Sequence, residues 1–466
     1  MELNSNLSTS EKPDNSSGIY YINLQKTSCR LDIVSLLLYH NYIYMNKLLI
    51  ILLSLISLLG LAILLSVTVF KEDLAEWVIE QNKIEYEQIR PYYVSEIPVE
   101  PDCFAEDFES IHNLVMEKCS LYEQKGINMD SLYTSLATRI GNEVKTKADY
   151  GLLVCEYFSA LNIGHANALL DVYWAMYFPT SVEERLFIDS PNEYVSKYGF
   201  CDKDEIVAIN GTPIQQYVNG RKKYTHASTE AARIHLTNRW ALRSHTDSLL
   251  ICDILRNGKP LTLELPLTTL PSPENGEKKV AKGKILNENV GYISIDSMSD
   301  NVVDEFKLAY QEVSHLPYLI VDIRKNGGGQ SDKGKAIAEY LVINEQEHCL
   351  GGEIIPQASA YKGKLYLLTS NFTFSAAESF ALDMKESGNA TLVGEATAGD
   401  TGNAPKFFMS KHGIYFRIPT REPKVSPKGF RMEGLGIEPD YEIKQTVEDF
   451  FYNKDTVLEY VLNELI

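Results

Sequence analysis

Residues 365–378, LYLLTSNFTFSAAE, decide how this chain folds. A short apolar run, Leu365 to Leu368, is bounded by turn residues and reads as a buried strand. Beyond the polar turn, Ser375 to Lys385 carries apolar residues at helical spacing and reads as an amphipathic helix. Ser375 therefore stands where a strand breaks into a helix, with the unpaired N–H groups of the first turn beside its hydroxyl. Two readings fit. One is a nucleophile. The other is a capping box, Ser375-Ala-Ala-Glu378, in which serine and glutamate satisfy orphan N–H groups.

Working outward, residues 290–298, VGYISIDSM, read as a strand and residues 304–313 as a helix. Residues 318–323 read as a buried strand running into Asn326-Gly327-Gly328-Gly329. Strand and helix alternate from there to Val393, which predicts an α/β core with helices on its sheet, spanning 284–466. The glycines lack the Gly-Lys-Ser/Thr that follows them in a phosphate loop. They suit a tight turn, or one wall of an oxyanion hole formed by Gly328 N–H and the N–H that follows the serine, Ala376.

Upstream, residues 173–270 are rich in β-branched residues and turn signals. Asn210-Gly211 and Asn257-Gly258 each separate strand-like runs, and a compact β-rich module is expected. Residues 72–172 show apolar residues at 3.6 spacing with few glycines and predict a helical domain ending near Gly164-His165. Residues 48–70 carry no charge and are long enough to cross a hydrocarbon core of about 30 Å. Lys47 precedes them and Lys71, Glu72, Asp73 and Glu76 follow, so a single transmembrane anchor over 47–70 with the bulk of the chain outside the cytoplasm is expected, a cleaved signal peptide being the alternative. Residues 1–46 are polar and read as disordered.

The net charge of −19 excludes a nucleic-acid binder, which must meet phosphates with lysine and arginine. The seven cysteines show neither CxxC spacing nor a histidine pattern, so no metal and no cofactor is expected. In an exported domain Cys103 and Cys119 could pair, or remain buried thiols.

Seven motifs in order carry a family resemblance: Gly164-His165, DEIVAINGTPI, VGYISI, VDIRKNGGG, TFSAAE, GEATAG and EGLGIEPD. Over about residues 104–443 the chain resembles the tail-specific, or carboxyl-terminal processing, serine proteases and their tricorn-type relatives. The resemblance implies a Clp-protease/crotonase-like α/β core with an N-terminal helical bundle and an inserted PDZ-like domain, acting on polypeptides. Members with a Ser/Lys dyad carry the lysine directly after Thr-x-Gly. Here Thr397-Ala398-Gly399 is followed by Asp400. The tricorn-like branch instead uses a histidine and a glutamate, matched by His165 and Glu433, although Gly164 stands where tricorn has serine. The resemblance thus implies Ser375 as nucleophile, His165 as base and Glu433 as its orienting carboxylate. A non-catalytic binder on the same fold, and a scaffold whose PDZ-like module recruits partners, are the alternatives.

Overall fold

The computed structural model describes residues 100–466 except 120, 171, 270–278, 401–404, 423 and 432. All of these fall within the unit Glu85–Ile466. The segment expected to form the anchor, 47–70, and the polar stretch before it lie outside the described residues. Among those described, no helix is long and apolar enough to cross a membrane.

Among the described residues the first α-helices are α1 (Phe104–Lys118), α2 (Met129–Glu143) and α3 (Lys147–Ala160). Asn128 and Thr146 cap the second and third through their side chains, and Asp149 returns the bond to the Thr146 N–H. Their core, built on Phe108, Ile111, Tyr157 and Phe158, also takes in Ile414, Phe416 and Ile418 from far along the chain. Those residues belong to a hairpin that pairs with β1 (Asn167–Ala168) in the register Asn167↔Arg417. The helical unit is therefore completed by C-terminal sequence.

The second unit is a sheet of β2 (Thr180–Val182), β3 (Arg185–Phe187), β4 (Glu205–Ile209), β5 (Leu249–Arg256) and β6 (Lys259–Pro266), in that order. Both Asn-Gly turns hold positive φ at each residue (51° and 73°; 51° and 74°), as the tight hairpin turn requires. Helices interrupt the strands, the longest being α4 (Ile214–Arg221) and α5 (Glu230–Arg239), so the module is less purely β than its composition suggests.

The third unit holds a six-stranded sheet. It comprises β7 (Ala281–Asn287), β8 (Val290–Ile295), β9 (Tyr318–Asp322), β10 (Lys364–Thr369), β11 (Ala390–Gly394) and, beyond a hairpin of β12 (Pro405–Met409) and β13 (Tyr415–Pro419), β14 (Tyr441–Glu442). β7 pairs antiparallel and the rest are parallel. Helices α6 (Val302–Val313), α7 (Ser331–Ala338) and α8 (Ala376–Ser387) connect them. Leu319, Val321, Leu365 and Leu367 face the helices, whereas Ile320, Tyr366 and Leu368 face the C-terminal segment at Val457 and Val461. A strand covered on both faces must be apolar throughout, which explains why 365–368 reads as a continuous run rather than an alternation. The register Asp322↔Leu368 brings the carboxyl ends of β9 and β10 side by side. At that edge the glycine loop and the serine turn meet, where open parallel sheets form their binding crevices.

Candidate active site

Ser375 occupies φ +56°, ψ −122° between β10 and α8. A non-glycine residue with positive φ at that ψ costs on the order of 1–3 kcal/mol and persists only where its surroundings fix it. Here Thr373 Oγ1 donates to Ile323 O (3.1 Å), Phe374 N–H donates to Asn326 O (3.2 Å), and Ser375 N–H donates to Glu378 Oε2 (3.0 Å). The glutamate half of the expected cap is thus present, and the helix proper starts at Ala376.

Glu378 does more than cap. Fully buried, its carboxylate also accepts Thr397 Oγ1–H (2.6 Å), Gly399 N–H (2.7 Å) and Asp400 N–H (3.0 Å). Burial pushes it up to about 7, against the pull of these hydrogen bonds. One carboxylate therefore ties the serine turn to the loop that carries Asp400.

His165 reaches the same place from the helical unit. Its ring packs against Phe374, the neighbour of Ser375, with centroids 4.7 Å apart. Nδ1 lies 2.7 Å from Asp400 Oδ1, and both residues are almost wholly buried, at 5% and 1% exposure. Burial opposes the Asp400 charge, but His165 outweighs it and holds the carboxyl below the usual range. Among the described residues, Nε2 makes no hydrogen bond and Ser375 Oγ is not bonded to His165.

Glu433, expected beside His165, is placed one step further back. It accepts a hydrogen bond from Ser228 Oγ (2.8 Å) and an ion pair from Lys125 Nζ (2.7 Å). Ser228 Oγ also accepts Gly164 N–H (2.9 Å), so a residue of the second unit bridges the His165 turn and Glu433. Burial, then the charge of Asp400, pushes Glu433 up to about 8. Asp400 Oδ2 is buried without a donor from any described residue. Two neighbouring carboxyls of which one is held protonated can share that proton, which would satisfy Oδ2.

Gly164 has a steric reason. A Cβ there would lie 1.8 Å from Asp400 Oδ2. The serine of the tricorn pattern cannot fit while Asp400 holds this position.

The oxyanion side is likewise defined. A Cβ on Gly328 would lie 2.8 Å from both Phe374 O and Ser375 Cβ, so the glycine loop packs directly on the serine turn. The Gly328 N–H, expected to be a donor, turns to Asn326 Oδ1 (2.9 Å). The N–H groups of Gly329 and Ala376 have no hydrogen-bond partner among the described residues.

Elsewhere, His348, Cys349 and Asp383 bring possible metal-ligand atoms within 4.8 Å. Both Asp383 oxygens are already used, by His348 Nδ1 (2.6 Å) and Cys349 N–H (2.8 Å), so the cluster closes as a hydrogen-bond network. All six described cysteines, Cys103 and Cys119 included, are free thiols.

Sequence comparison bears on this geometry directly. Residues 289–443 match the profile of peptidase family S41, and residues 181–267 match the N-terminal domain described for S41 peptidases of Bacteroidetes. The chain is 27% identical over 185 residues to the tricorn protease of Thermoplasma acidophilum, covering 38% of this chain and 17% of that protein. It is 26% identical over 282 residues to the carboxy-terminal processing protease CtpB of Bacillus subtilis, covering 57% of this chain and 52% of that protein. The chain thus spans about half or less of these relatives. Its fold is similar to that of mature CPAF complexed with lactacystin, with a TM-score of 0.65 at 14% identity over 78% of this chain and 97% of that one. The resemblance to tail-specific and tricorn-type proteases drawn from seven motifs is therefore also found by comparison.

Proposed function

From the S41 match over residues 289–443, we propose that the protein is a serine peptidase that hydrolyses polypeptides with Ser375 as nucleophile and His165 as general base. The observation that carries this reading is the meeting of a serine held at φ +56° with a buried His165–Asp400 pair against the adjoining Phe374. In this mechanism His165 Nε2 takes the Ser375 proton as Oγ attacks the scissile carbonyl, then returns it to the leaving amine. Asp400 accepts the Nδ1–H, fixes the tautomer that leaves Nε2 free, and stabilises the imidazolium. Glu433 acts through Asp400, as the carboxyl that shares its proton with Oδ2. Ala376 and Gly329 N–H groups receive the oxyanion, with Gly328 available if Asn326 releases it. A donor of this kind is worth about 3 kcal/mol.

The lysine position of the dyad enzymes is thereby reassigned. Asp400 follows Thr-x-Gly as the lysine does there, but serves a histidine base.

We assign the chain further to the membrane, anchored by residues 47–70 with the peptidase on the extracytoplasmic side, and acting on exported or misfolded polypeptides through a PDZ-like module at 173–270. The support is the charge-free apolar run with its basic flank, and the β-rich character of the module. Proteolytic shaving of intact cells would leave the peptidase part untouched if this orientation is wrong.

A non-catalytic binder has one observation in its favour, the missing hydrogen bond between Ser375 and His165. A fluorophosphonate probe separates the two readings. Label on Ser375 that disappears in Ser375→Ala and falls sharply in His165→Ala supports the peptidase; a folded protein that takes no label refutes it.

A further inference from the structure

A cavity of about 240 Å³ adjoins the His165–Asp400–Glu433 network. Asn167, two residues after His165, and His226, two before Ser228, both line it. Arg417 from β13, Arg221 at the end of α4 and Arg243 also line it, together with Ala168 and Trp240. No carboxylate lines the cavity among the described residues, in a chain with 63 acidic residues against 44 basic ones.

Three arginines, Arg221, Arg243 and Arg417, line the cavity, and Arg417 and Arg221 are held by neutral groups rather than by carboxylates. Arg417 Nε donates to Asn167 Oδ1, leaving both terminal nitrogens without a partner among the described residues. Arg221 donates to Arg243 O (2.7 Å) and to Tyr217 Oη (3.3 Å), and its guanidinium lies 5.1 Å from the Tyr217 ring centroid. Arg139, Arg185, Arg256 and Arg324, by contrast, each fork onto carboxylates. Burial, then the positive charge of Arg417, pushes His226 down to about 3, so the imidazole adds no further positive charge to the cavity. A fixed planar fork without its anion matches a carboxylate in shape and charge, and Trp240 supplies an apolar flank.

We propose that this cavity is a carboxylate-binding subsite for the substrate polypeptide, with Arg417 as the principal ligand and Arg221 as a second one. The proposal rests on the peptidase reading for the substrate class. The carboxylate comes either from a chain terminus or from an aspartate or glutamate side chain, since both present the same group.

The test uses equilibrium binding to the full-length Ser375→Ala protein, so turnover is not needed. Four fluorescein-labelled peptides of one sequence form two pairs: a free carboxyl terminus against its amide, and an internal glutamate against glutamine with the terminus amidated. The expected result is at least tenfold tighter binding of the acid member of one pair, with the difference lost in Arg417→Gln, whose amide keeps a donor for Asn167. Discrimination in the first pair identifies a terminus and in the second a side chain. If Arg417→Gln fails to fold by thermal melting, Arg221→Gln in the same cavity must reduce the same preference. No discrimination in either pair, including no binding of any peptide, or a preference that survives the arginine variants, overturns the proposal. Fluorophosphonate labelling of the wild type distinguishes the two failures: label without carboxylate preference leaves the peptidase standing, and carboxylate preference without label removes the peptidase and keeps the cavity.

Discussion

Replacing Asp400 by asparagine is the sharpest single perturbation of the proposed machinery. The pair is buried, its atoms are 2.7 Å apart, and the charge on Asp400 faces the imidazolium that forms as Ser375 attacks. Two unit charges about 4 Å apart at an effective dielectric near 20 interact by roughly 4 kcal/mol, or about three decades in rate. Loss of the tautomer that frees Nε2 adds to this, and the corresponding change in well-studied triads costs about 10⁴-fold. The second-order rate constant for fluorophosphonate labelling of Ser375 should fall by about 10³ to 10⁴ in Asp400→Asn at pH 7.5. Glu433→Gln, which keeps a donor for Oδ2 and an acceptor for Ser228, should stay within about tenfold of wild type. A labelling rate in Asp400→Asn within tenfold of wild type, or an equal loss in both variants, would refute Asp400 as the group that orients His165.

Other outcomes follow from the same contacts. Glu433 is raised from 4.5 to about 8, so its protonation contributes stability that is fully present below pH 4.5 and is lost as pH rises through 8. Glu378, raised to about 7, acts in the same direction, and the melting temperature should be lower at pH 9 than at pH 6; in Glu433→Gln the decline should be shallower and level off near pH 7 rather than near pH 8. A flat profile in the wild type would contradict the shared proton. Gly164→Ala places a Cβ 1.8 Å from Asp400 Oδ2 and should abolish labelling while circular dichroism retains its helical signal. Ser228→Ala leaves Gly164 N–H and Glu433 each short of a partner and should lower stability by about 1–3 kcal/mol in urea unfolding. No measurable change would mean that water replaces the hydroxyl.

What the sequence makes legible here is local. The buried strand at 365–368 and the helix after Ser375 are readable because their periodicity is intrinsic. The helix differs only at its ends, starting at Ala376 and running to Ser387 before Gly388 closes it at φ +71°. The Asn-Gly turns are readable because few residues accept positive φ. Asp400 was visible in the sequence only as the absence of a lysine. Its role depends on a contact with His165 across 235 residues, and its one local signature is the glycine at 164 that makes room for it. Ser228 carries no signal, since it meets Gly164 and Glu433 across 64 and 205 residues. The helical unit could not be closed from its own sequence for the same reason: Phe416 and Ile418 complete its core from β13.

The central claim is turnover by Ser375. Incubating the protein with an unfolded polypeptide such as reduced, carboxymethylated lactalbumin and sequencing the products by mass spectrometry tests it most directly. New amino termini should accumulate with wild type and be absent with Ser375→Ala and with His165→Ala. Products of equal yield from all three proteins, or none from a wild type shown to be folded, would contradict it.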